Sequence, residues 1–339
     1  MIRPIHAMLA FGLALASLAL GAAASGAAQT TTERTFDHIF VIVEENTEFN
    51  HVIGNPAMPT INALAQQHGL ATSYFGTIHP SEGNYVSMVG GDDYMIRDDK
   101  PYTVHLINQP SIVDQLEGAG LTWRGYFQTM PFAGFADTCY PAECLYASKH
   151  NGFVNFTHVS GNPREMLNLV PDTNLADDLA SGSVPNFAFI APDQCHDLHG
   201  LSICTGDQLA RESDAYLQTT VDTIMRSEVW REGRNALVVT FDEGETNLGC
   251  CDGGDDPFNP TTNSGGGRVV TVVVRNDNAK PLQDPTPYNH HSLVATMQAA
   301  FGLGCTFNGQ PVGDTCDIQA GVMPMAPLFG LRQSAGPGR

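Results

Sequence analysis

The stretch that decides the fold runs from Phe36 to Asn46 and reads FDHIFVIVEEN. Apolar and polar residues alternate at its start, and the unbroken apolar run Ile39–Val43 follows. Such a run is typical of a strand buried on both faces of a parallel sheet. The run ends directly in two acidic residues and an amide. Because open α/β sheets bind ligands beyond the carboxyl ends of their strands, the stretch predicts a central strand and one side of a site.

A second run of the same kind ends in the same way. Residues Ala236–Phe241 are apolar or β-branched and are followed by Asp242 and Glu243. Together with Glu45 and Asn46, these residues offer oxygen ligands for Mg²⁺, Mn²⁺, Ca²⁺ or Zn²⁺. Two adjacent acids at a strand end repel each other unless a cation bridges them or solvent surrounds them. Solvent exposure is therefore the alternative for either pair taken alone.

A third motif, His79-Pro-Ser-Glu-Gly-Asn84, lies between a predicted strand and a predicted helix. Ser81 is the candidate nucleophile, because the terminal NH groups of a helix that follows a loop can face an anion. The amide of Asn84, one turn further on, can donate a hydrogen bond to phosphate. A metal ion touching Ser81 would lower the pKa of its hydroxyl and so generate an attacking alkoxide. The alternative is that Ser81 caps the helix and that Asn84 is exposed.

The alternation of strand and helix patterns predicts an α/β fold, a doubly wound, mostly parallel sheet between helices. The further predicted strands are Leu70–Phe75, Thr122–Phe127, Asn186–Ala191 and an edge-like strand, Val269–Val274. The predicted helices are Thr60–His68, Asn84–Val89, Ile112–Ala119, Asp207–Ser227 and Ser292–Phe301. The irregular segment Met130–Asn162 is longer than an ordinary connection, which indicates a lid or a pocket wall.

The composition argues against a nucleic-acid partner. The 339 residues carry 36 acidic against 16 basic side chains, a formal charge of -20. Such a charge repels a phosphate backbone and an anionic membrane surface. It is compatible with a cation site, although a solvated acidic surface explains most of it equally well.

The first residues predict export. Arg3 precedes an apolar stretch, Met8–Ala23, and small residues follow, so we expect a signal peptide at residues 1–28 and a single domain at 29–339. A membrane anchor is the alternative, but the apolar core is shorter than the roughly twenty residues of a spanning helix. No later stretch is apolar enough for stable membrane insertion. We therefore expect a secreted or periplasmic protein.

The eight cysteines are expected to form disulfides in an exported chain. Three pairs are close in sequence: Cys139 with Cys144, Cys195 with Cys204, and Cys305 with Cys316. The adjacent residues Cys250 and Cys251 are left over. A zinc site is the alternative, but the chain contains no CxxC pair.

Histidines fall in two informative groups. His196 and His199 flank Asp197, and His290 and His291 directly precede a predicted helix. One of these imidazoles is expected to protonate a leaving oxygen or to complete a metal site. The alternative for any single histidine is a hydrogen-bonded structural role, and His79 could orient Ser81 or simply pack.

Taken in order, these motifs resemble the phosphoesterase family of the alkaline phosphatase superfamily, which contains acid phosphatases and bacterial phospholipases C. The resemblance runs from about Phe36 to Leu303 and rests on an ordered set of motifs: Glu-Asn after the first strand, His-Pro-Ser-x-x-Asn-Tyr, Pro-Asp-x-Cys-His-Asp-x-His, Asp-Glu-Gly, and Tyr-x-His-x-Ser-Leu before the last helix. It implies an alkaline-phosphatase-like α/β/α sandwich.

The resemblance also implies site roles. It implies a divalent metal ion held by Glu45, Asn46, Ser81, Asp242 and Glu243, with a phosphoserine intermediate at Ser81. Further positions that match the family near the phosphate are Asp193, His196 and His290; we count Asp193 as a candidate ligand and the histidines, with Ser81 and Asn84, as candidate catalytic residues.

The sequence departs from the family at two places. Family members often have Asp-Asp where this chain has Asp242-Glu243, and Asn46-Thr-Glu-Phe49 replaces the more frequent Asn-Arg-Ser-Phe. The second change removes a basic residue near the ligands.

The expected substrate is a small phosphate ester, and a phospholipid headgroup is the alternative. The chain stops soon after its final helix, whereas the phospholipases C carry long C-terminal modules, so a phosphomonoesterase is favoured over a phospholipase C or another phosphodiesterase. A metal-free serine esterase is a rival, although no G-x-S-x-G elbow occurs. A non-catalytic cation-binding protein is the other rival, suggested by the acidic run at residues 252–256, which lacks EF-hand spacing.

Overall fold

Ile39–Val43 form the centre of a mixed, nine-stranded sheet and are completely buried. The structure, a computed structural model, describes Met1 and residues 34–246, 265–316 and 321–332. The strands are β1 (His38–Glu44), β2 (Gly69–Phe75), β3 (Trp123–Phe127), β4 (Cys139–Tyr140), β5 (Tyr146–Ala147), β6 (Leu169–Pro171), β7 (Phe187–Ala191), β8 (Asn235–Phe241), β9 (Arg268–Arg275), β10 (Leu282–Asp284), β11 (Tyr288–Asn289), β12 (Thr306–Phe307) and β13 (Gln310–Pro311).

The strand order across the sheet is β10-β2-β9-β8-β1-β7-β3-β6, and β11 also pairs with β2. All pairings in this sheet are parallel except those of β9, which runs antiparallel to both β2 and β8. The carboxyl ends of β1, β2, β7 and β8 therefore meet at one edge of the sheet. This edge is where the predicted site residues lie.

Helices cover both faces of the sheet, as the sequence predicts. They are α1 (Phe49–Val52), α2 (Pro59–Gln67), α3 (Ser81–Gly90), α4 (Ile112–Gly118), α5 (Thr157–Ser160), α6 (Pro163–Met166), α7 (Asn174–Ser181), α8 (Gly206–Arg226), α9 (Glu228–Arg231), α10 (His290–Phe301) and α11 (Ala326–Phe329). Helices α3, α4 and α10 pack together as one group, and α2, α7, α8 and α9 form another. The predicted α/β fold is thus confirmed.

Two sequence predictions about elements are wrong. Val269–Val274 are almost completely buried, because β9 lies between β2 and β8 and not at an edge. Its backbone is paired on both sides, whereas an edge strand leaves one row of N–H and C=O groups unpaired. Helix α3 begins at Ser81, three residues before the predicted start, so Ser81 opens the helix. The Met130–Asn162 segment contains the β4–β5 hairpin, a short 3-10 turn and α5.

The three predicted disulfides are present. Cys139 bonds to Cys144, Cys195 to Cys204, and Cys305 to Cys316, whereas Cys250 and Cys251 lie outside the described residues. Gln194 ties two of the bridged loops together, since its backbone N donates to the carbonyl of Leu145 over 3.0 Å.

The predicted signal peptide, apart from Met1, also lies outside the described residues, and the single-domain assignment stays a prediction. Among the helices of the described ranges, none has the length and apolar character needed to traverse a bilayer.

Gly76 follows β2, and its backbone packs closely against the backbone of two other segments of the chain. Its N donates to the carbonyl of Gly267 and its carbonyl accepts from the N of Gly266, each over 2.9 Å. A Cβ at this position would lie 2.7 Å from the carbonyl oxygen of Asp242 and 2.8 Å from that of Gly266. Backbone atoms cannot rotate away, so only glycine fits here.

We predict that Gly76→Ala lowers the free energy of unfolding by about 1–3 kcal/mol, the usual cost of overpacking. The measurement is urea denaturation, read as a shift of the midpoint at constant slope. Gly304→Ala is the control, because a Cβ there meets its first neighbour, the N of Thr306, only at 4.0 Å. Equal midpoints for the two variants would contradict the prediction.

Candidate active site

The hydroxyl of Ser81 lies between acids from two distant segments. Its Oγ donates to Oε2 of Glu45 over 3.1 Å and lies 3.4 Å from Oε1 of Glu243. Ser81 and both acids are at most 4% exposed. The structure thus brings together the three motifs that the sequence singles out, at the first residue of α3.

Strand register explains why the acids meet. β1 and β8 are parallel and pair Glu44 with Phe241, so Glu45 and Asp242 leave the sheet side by side. Asn46 has a φ of 48°, a left-handed conformation that asparagine tolerates better than most residues. This turn allows the N of Asn46 to donate to Oδ1 of Asp242 over 3.2 Å.

Asn84 is fully buried, and its amide is held on both sides. Its Oδ1 accepts from the backbone N of Thr77 over 2.8 Å and of Ile78 over 3.1 Å. Its Nδ2 donates to the carbonyl of Ile78 over 2.6 Å and to Oε2 of Glu243 over 3.2 Å. Asn84 is therefore not the exposed residue of the alternative interpretation; it links the loop before α3 to Glu243.

The negative charge of the buried carboxylates in the site is only partly balanced by the groups around them. Burial, with Glu45 and Glu243 nearby, raises the pKa of Asp242 well above its ordinary value. Burial raises the pKa of Glu243 to about 7, although His79 Nδ1, 2.7 Å from Oε2, works in the opposite direction. Oε1 of Glu45 and Oδ2 of Asp242 are buried without a hydrogen-bond partner. Buried carboxylate oxygens of this kind are the donors a divalent cation requires, so the residues fit a metal ion.

Asp193 and His196 form a separate group. Asp193 accepts hydrogen bonds from Thr129 Oγ1 over 2.6 Å and from the N of Cys195 over 3.1 Å, and its Oδ1 lies 2.9 Å from Nδ1 of His196. Burial alone would raise the pKa of Asp193, but the bonds from His196 and Thr129 hold it below its ordinary value. No direct contact between this pair and Glu45, Ser81 or Asp242 is found in the described ranges. The predicted ligand role of Asp193 therefore has no support from its surroundings.

His196 has the features of a proton donor. Its bond to Asp193 raises the pKa of the imidazole above the usual value, and its side chain is 33% exposed. The ring stacks on Tyr216 with centroids 5.6 Å apart, and Tyr216 in turn donates to Asp172 over 2.8 Å. The imidazole is thus oriented by a carboxylate on one side and an aromatic ring on the other.

His290 lies beside the acid cluster but does not face it with a free nitrogen. Its Nδ1 lies 3.2 Å from the hydroxyl of Tyr74, and its Nε2 makes a short hydrogen bond to the carbonyl of Asp242. Complete burial lowers the pKa of His290 to about 3, so the ring is neutral and Nε2 donates. Both nitrogens of His290 are thus engaged, one of them on the carbonyl of Asp242, and its catalytic role stays a prediction.

Sequence reasoning missed Lys149 and His150. Glu45, His150 and His199 each offer one ligand atom, and these atoms lie within 4.8 Å of one another, so the group could hold a metal ion. Burial and the adjacent cation Lys149 keep the pKa of His150 well below its ordinary value. The missed pair lies in the irregular Met130–Asn162 segment, where a Lys-His dipeptide was the sole signal.

Comparisons with known proteins agree with this geometry. A profile of the phosphoesterase family matches residues 55–304. The phosphate-repressible acid phosphatase of Penicillium chrysogenum is 28% identical over 278 residues, 79% of this chain and 60% of that protein. The phosphatidylinositol-3-phosphatase of Mycobacterium tuberculosis is 27% identical over 321 residues, 92% of this chain and 94% of that protein.

The lengths of these relatives differ. The chain spans only 55% to 60% of the length of three fungal acid phosphatases. Among solved structures, a protein of the alkaline phosphatase superfamily from Vibrio parahaemolyticus superposes with a TM-score of 0.54 at 13% identity, covering 80% of this chain and 68% of that one. At this identity the likeness concerns the fold alone.

Proposed function

The protein belongs to the phosphoesterase family, and from this premise we propose that it is an exported, metal-dependent phosphomonoesterase that works through a phosphoserine at Ser81. The observation that carries the proposal is the placement of the Ser81 hydroxyl, 3.1 Å from Glu45 and at the first residue of α3. A hydroxyl at a helix N-terminus and beside metal-type ligands is suited to attack a phosphoryl group. The three disulfides support export, since they persist in oxidising compartments.

Glu45, Ser81, Asp242 and Glu243 would hold the metal ion, with Asn46 adjacent to them. When bound, a divalent cation offsets the carboxylate charge, lowers the pKa of the serine hydroxyl and neutralises charge on the phosphoryl oxygens. Asn84 keeps Glu243 in place through its 3.2 Å bond, and His290 does the same for Asp242 through the backbone carbonyl.

The reaction then proceeds in two displacements. Ser81 Oγ passes its proton to Oε1 of Glu243, 3.4 Å away, and attacks phosphorus, and the bond from phosphorus to the alcohol oxygen breaks. The protonated His196 imidazole gives its proton to the departing oxygen. Water next attacks the phosphoserine and gives a proton to the now neutral His196, and the seryl oxygen leaves and takes its proton back from Glu243 as inorganic phosphate departs. Asp193 keeps the His196 ring oriented in both steps, which is the role we assign to it in place of metal binding.

A phosphorylated inositol lipid is the second candidate substrate. A phosphatidylinositol-3-phosphatase is among the relatives, and the match covers 92% of this chain and 94% of that protein. Removal of phosphate from such a headgroup is still monoester hydrolysis, so the same residues would serve it.

We predict that wild-type protein hydrolyses p-nitrophenyl phosphate and inositol lipid monophosphates faster than bis(p-nitrophenyl) phosphate or phosphatidylcholine. Ser81→Ala should lower this turnover by at least about a thousandfold, the scale for loss of a covalent nucleophile. Acid quenching during turnover should trap phosphate on the wild-type chain and none on the variant.

Ser87→Ala is the matched control for the nucleophile. Ser87 is also fully buried in α3, but its Oγ donates to the carbonyl of Gly83 over 2.8 Å. Its replacement should leave turnover within about tenfold of wild type. A drop of less than tenfold for Ser81→Ala, or a preference for diesters, would contradict the proposal.

Asp242→Asn should reduce both bound divalent metal and turnover by at least about tenfold, since even an outer-shell partner of a metal costs that much. Elemental analysis after dialysis against a dilute divalent cation provides the metal content. Asp284→Asn is the control, because Asp284 is also buried but accepts a 2.8 Å hydrogen bond from the hydroxyl of Tyr288 and lies on the edge strand β10, four positions from β1 in the sheet. Unchanged metal content in Asp242→Asn would remove this residue from the ligand set.

His196→Gln should affect substrates according to their leaving group. An alkyl phosphate needs a proton on the departing oxygen, so its turnover should fall by about 10²–10⁴-fold, the usual contribution of a general acid. p-Nitrophenyl phosphate, whose leaving group is stable as an anion, should lose far less. Steady-state rates on phenyl, alkyl and p-nitrophenyl phosphates measure the difference, and a uniform loss over all three would assign proton transfer elsewhere.

A further inference from the structure

We propose that Glu45, His150 and His199 form a second cation subsite, suited to a divalent transition metal such as Zn²⁺, and that Lys149 competes with the metal for it. The subsite lies beside the acid cluster of Ser81, Asp242 and Glu243 and shares Glu45 with it. One carboxylate and two imidazoles are a zinc-type donor set. Mg²⁺, by contrast, takes oxygen ligands almost exclusively.

The ligand atoms face one another without satisfying one another. Oε1 of Glu45 and Nε2 of His150 lie 3.0 Å apart, yet neither atom has a hydrogen-bond partner. Glu45 is 0% and His150 3% exposed, so water does not solvate these atoms either. Two buried polar atoms that lack hydrogen-bond partners and converge on one point are costly unless a further group binds both.

The second ring nitrogen of each histidine also faces an oxygen atom, as is usual in metal sites. Nδ1 of His199 forms a 2.9 Å hydrogen bond with the carbonyl of Gly200, and Nδ1 of His150 faces Oδ2 of Asp197 at 3.2 Å, an oxygen that has no hydrogen-bond partner. Metal-binding histidines almost always direct their second nitrogen at such an oxygen, which fixes the tautomer and leaves the other nitrogen for the ion. In both residues the nitrogen left over is Nε2.

Asp197 contacts all three ligands of the subsite. Besides its contact with His150, its carbonyl accepts from the N of Glu45 over 2.6 Å, and its Oδ1 accepts from the N of His199 over 2.8 Å. Tyr85 adds a fourth constraint, since its ring stacks on His150 at 5.0 Å. Asp197 thus holds the backbone of Glu45 and of His199 and faces the ring of His150, which keeps the three residues close together.

Lys149 provides the competing cation. Its Nζ lies 2.9 Å from Nε2 of His199, to which it can only donate, and 3.1 Å from Oδ2 of Asp99. An ion that binds His199 must displace this ammonium, and Asp99 can retain the ammonium after displacement. Lys149 therefore sets the affinity of the subsite and keeps it from binding metal indiscriminately.

The inference rests on the proposed function only in that both use Glu45, and cobalt provides a test independent of turnover. Full-length protein is stripped with a chelator and titrated with Co²⁺ alone, while visible absorption reports imidazole-bound cobalt. His199→Gln should weaken this signal by at least about tenfold, a loss that even a second-shell change produces. Lys149→Met should instead tighten cobalt binding by at least about tenfold, because it removes a unit charge a few ångströms from the ion.

His105→Gln is the matched control. His105 is another partly buried histidine on α3's side of the site, but it pairs with Glu82 at 2.9 Å and lies outside the subsite. Cobalt binding should not change in this variant. Unchanged binding in both His199→Gln and Lys149→Met overturns the subsite, and if His199→Gln does not fold, an unchanged affinity in Lys149→Met does so alone.

The result of the cobalt titration can be distinguished from the result of the tests of the proposed function. If Ser81→Ala keeps its turnover while His199→Gln loses the cobalt signal, the phosphoserine mechanism fails and the subsite stands. The opposite pattern removes the subsite and leaves the mechanism.

Discussion

Mutual repulsion among buried carboxylates at the ends of β1 and β8 is the constraint on which the rest of the site depends. Parallel pairing of the two strands places Glu45 next to Asp242. The two residues cannot separate unless the pairing of β1 with β8 is disrupted. The fold offsets part of this repulsion with its own donors, from Ser81, Asn84 and the N of Asn46. The remainder favours a cation, which is why the site and the fold are not independent features.

The neighbouring elements are arranged around this charge. The single reversed strand, β9, lies next to β8, and the loops before it reach Gly76 and Gly244, which approach the acids with their backbones. Histidines surround the cluster at different distances from it. His79 contacts Glu243 directly, His290 supports Asp242 from behind, and His196 stands apart with its own carboxylate. One residue type thus serves three purposes, decided by burial and partner.

The sequence was sufficient to predict the strands of the sheet and the acidic site residues, but it was not sufficient to predict the path of the loops. β1 and β8 were predictable because each contains a run of five or six apolar or β-branched residues, a length and composition typical of a buried strand. Glu45, Asp242 and Glu243 followed from them, since strand ends share an edge. β9 was placed at the edge because a run of valines indicates a strand without indicating its neighbours. Asp193 and His290 were identified as candidates from their motifs, but only coordinates show that Asp193 pairs with His196 and that His290 contacts Asp242.

His150 and Lys149 illustrate the limit most clearly. They lie in a segment without periodicity, whose path depends on Gly152 packing against the backbone of Tyr85 and on the β4–β5 hairpin. No local pattern encodes such a path, because it is set by contacts with residues far away in the chain.

The link through Gln194 between two disulfide-bonded loops has a consequence for where the protein can work. His196 directly follows Cys195, whereas Ser81 and its acids stand on the sheet and on α3, which contain no cysteine. A chain held in a reducing compartment would keep the Ser81 site in place and lose the bridge beside His196. Under the proposed mechanism, the proton donor therefore depends on the redox state of its surroundings, whereas the nucleophile does not.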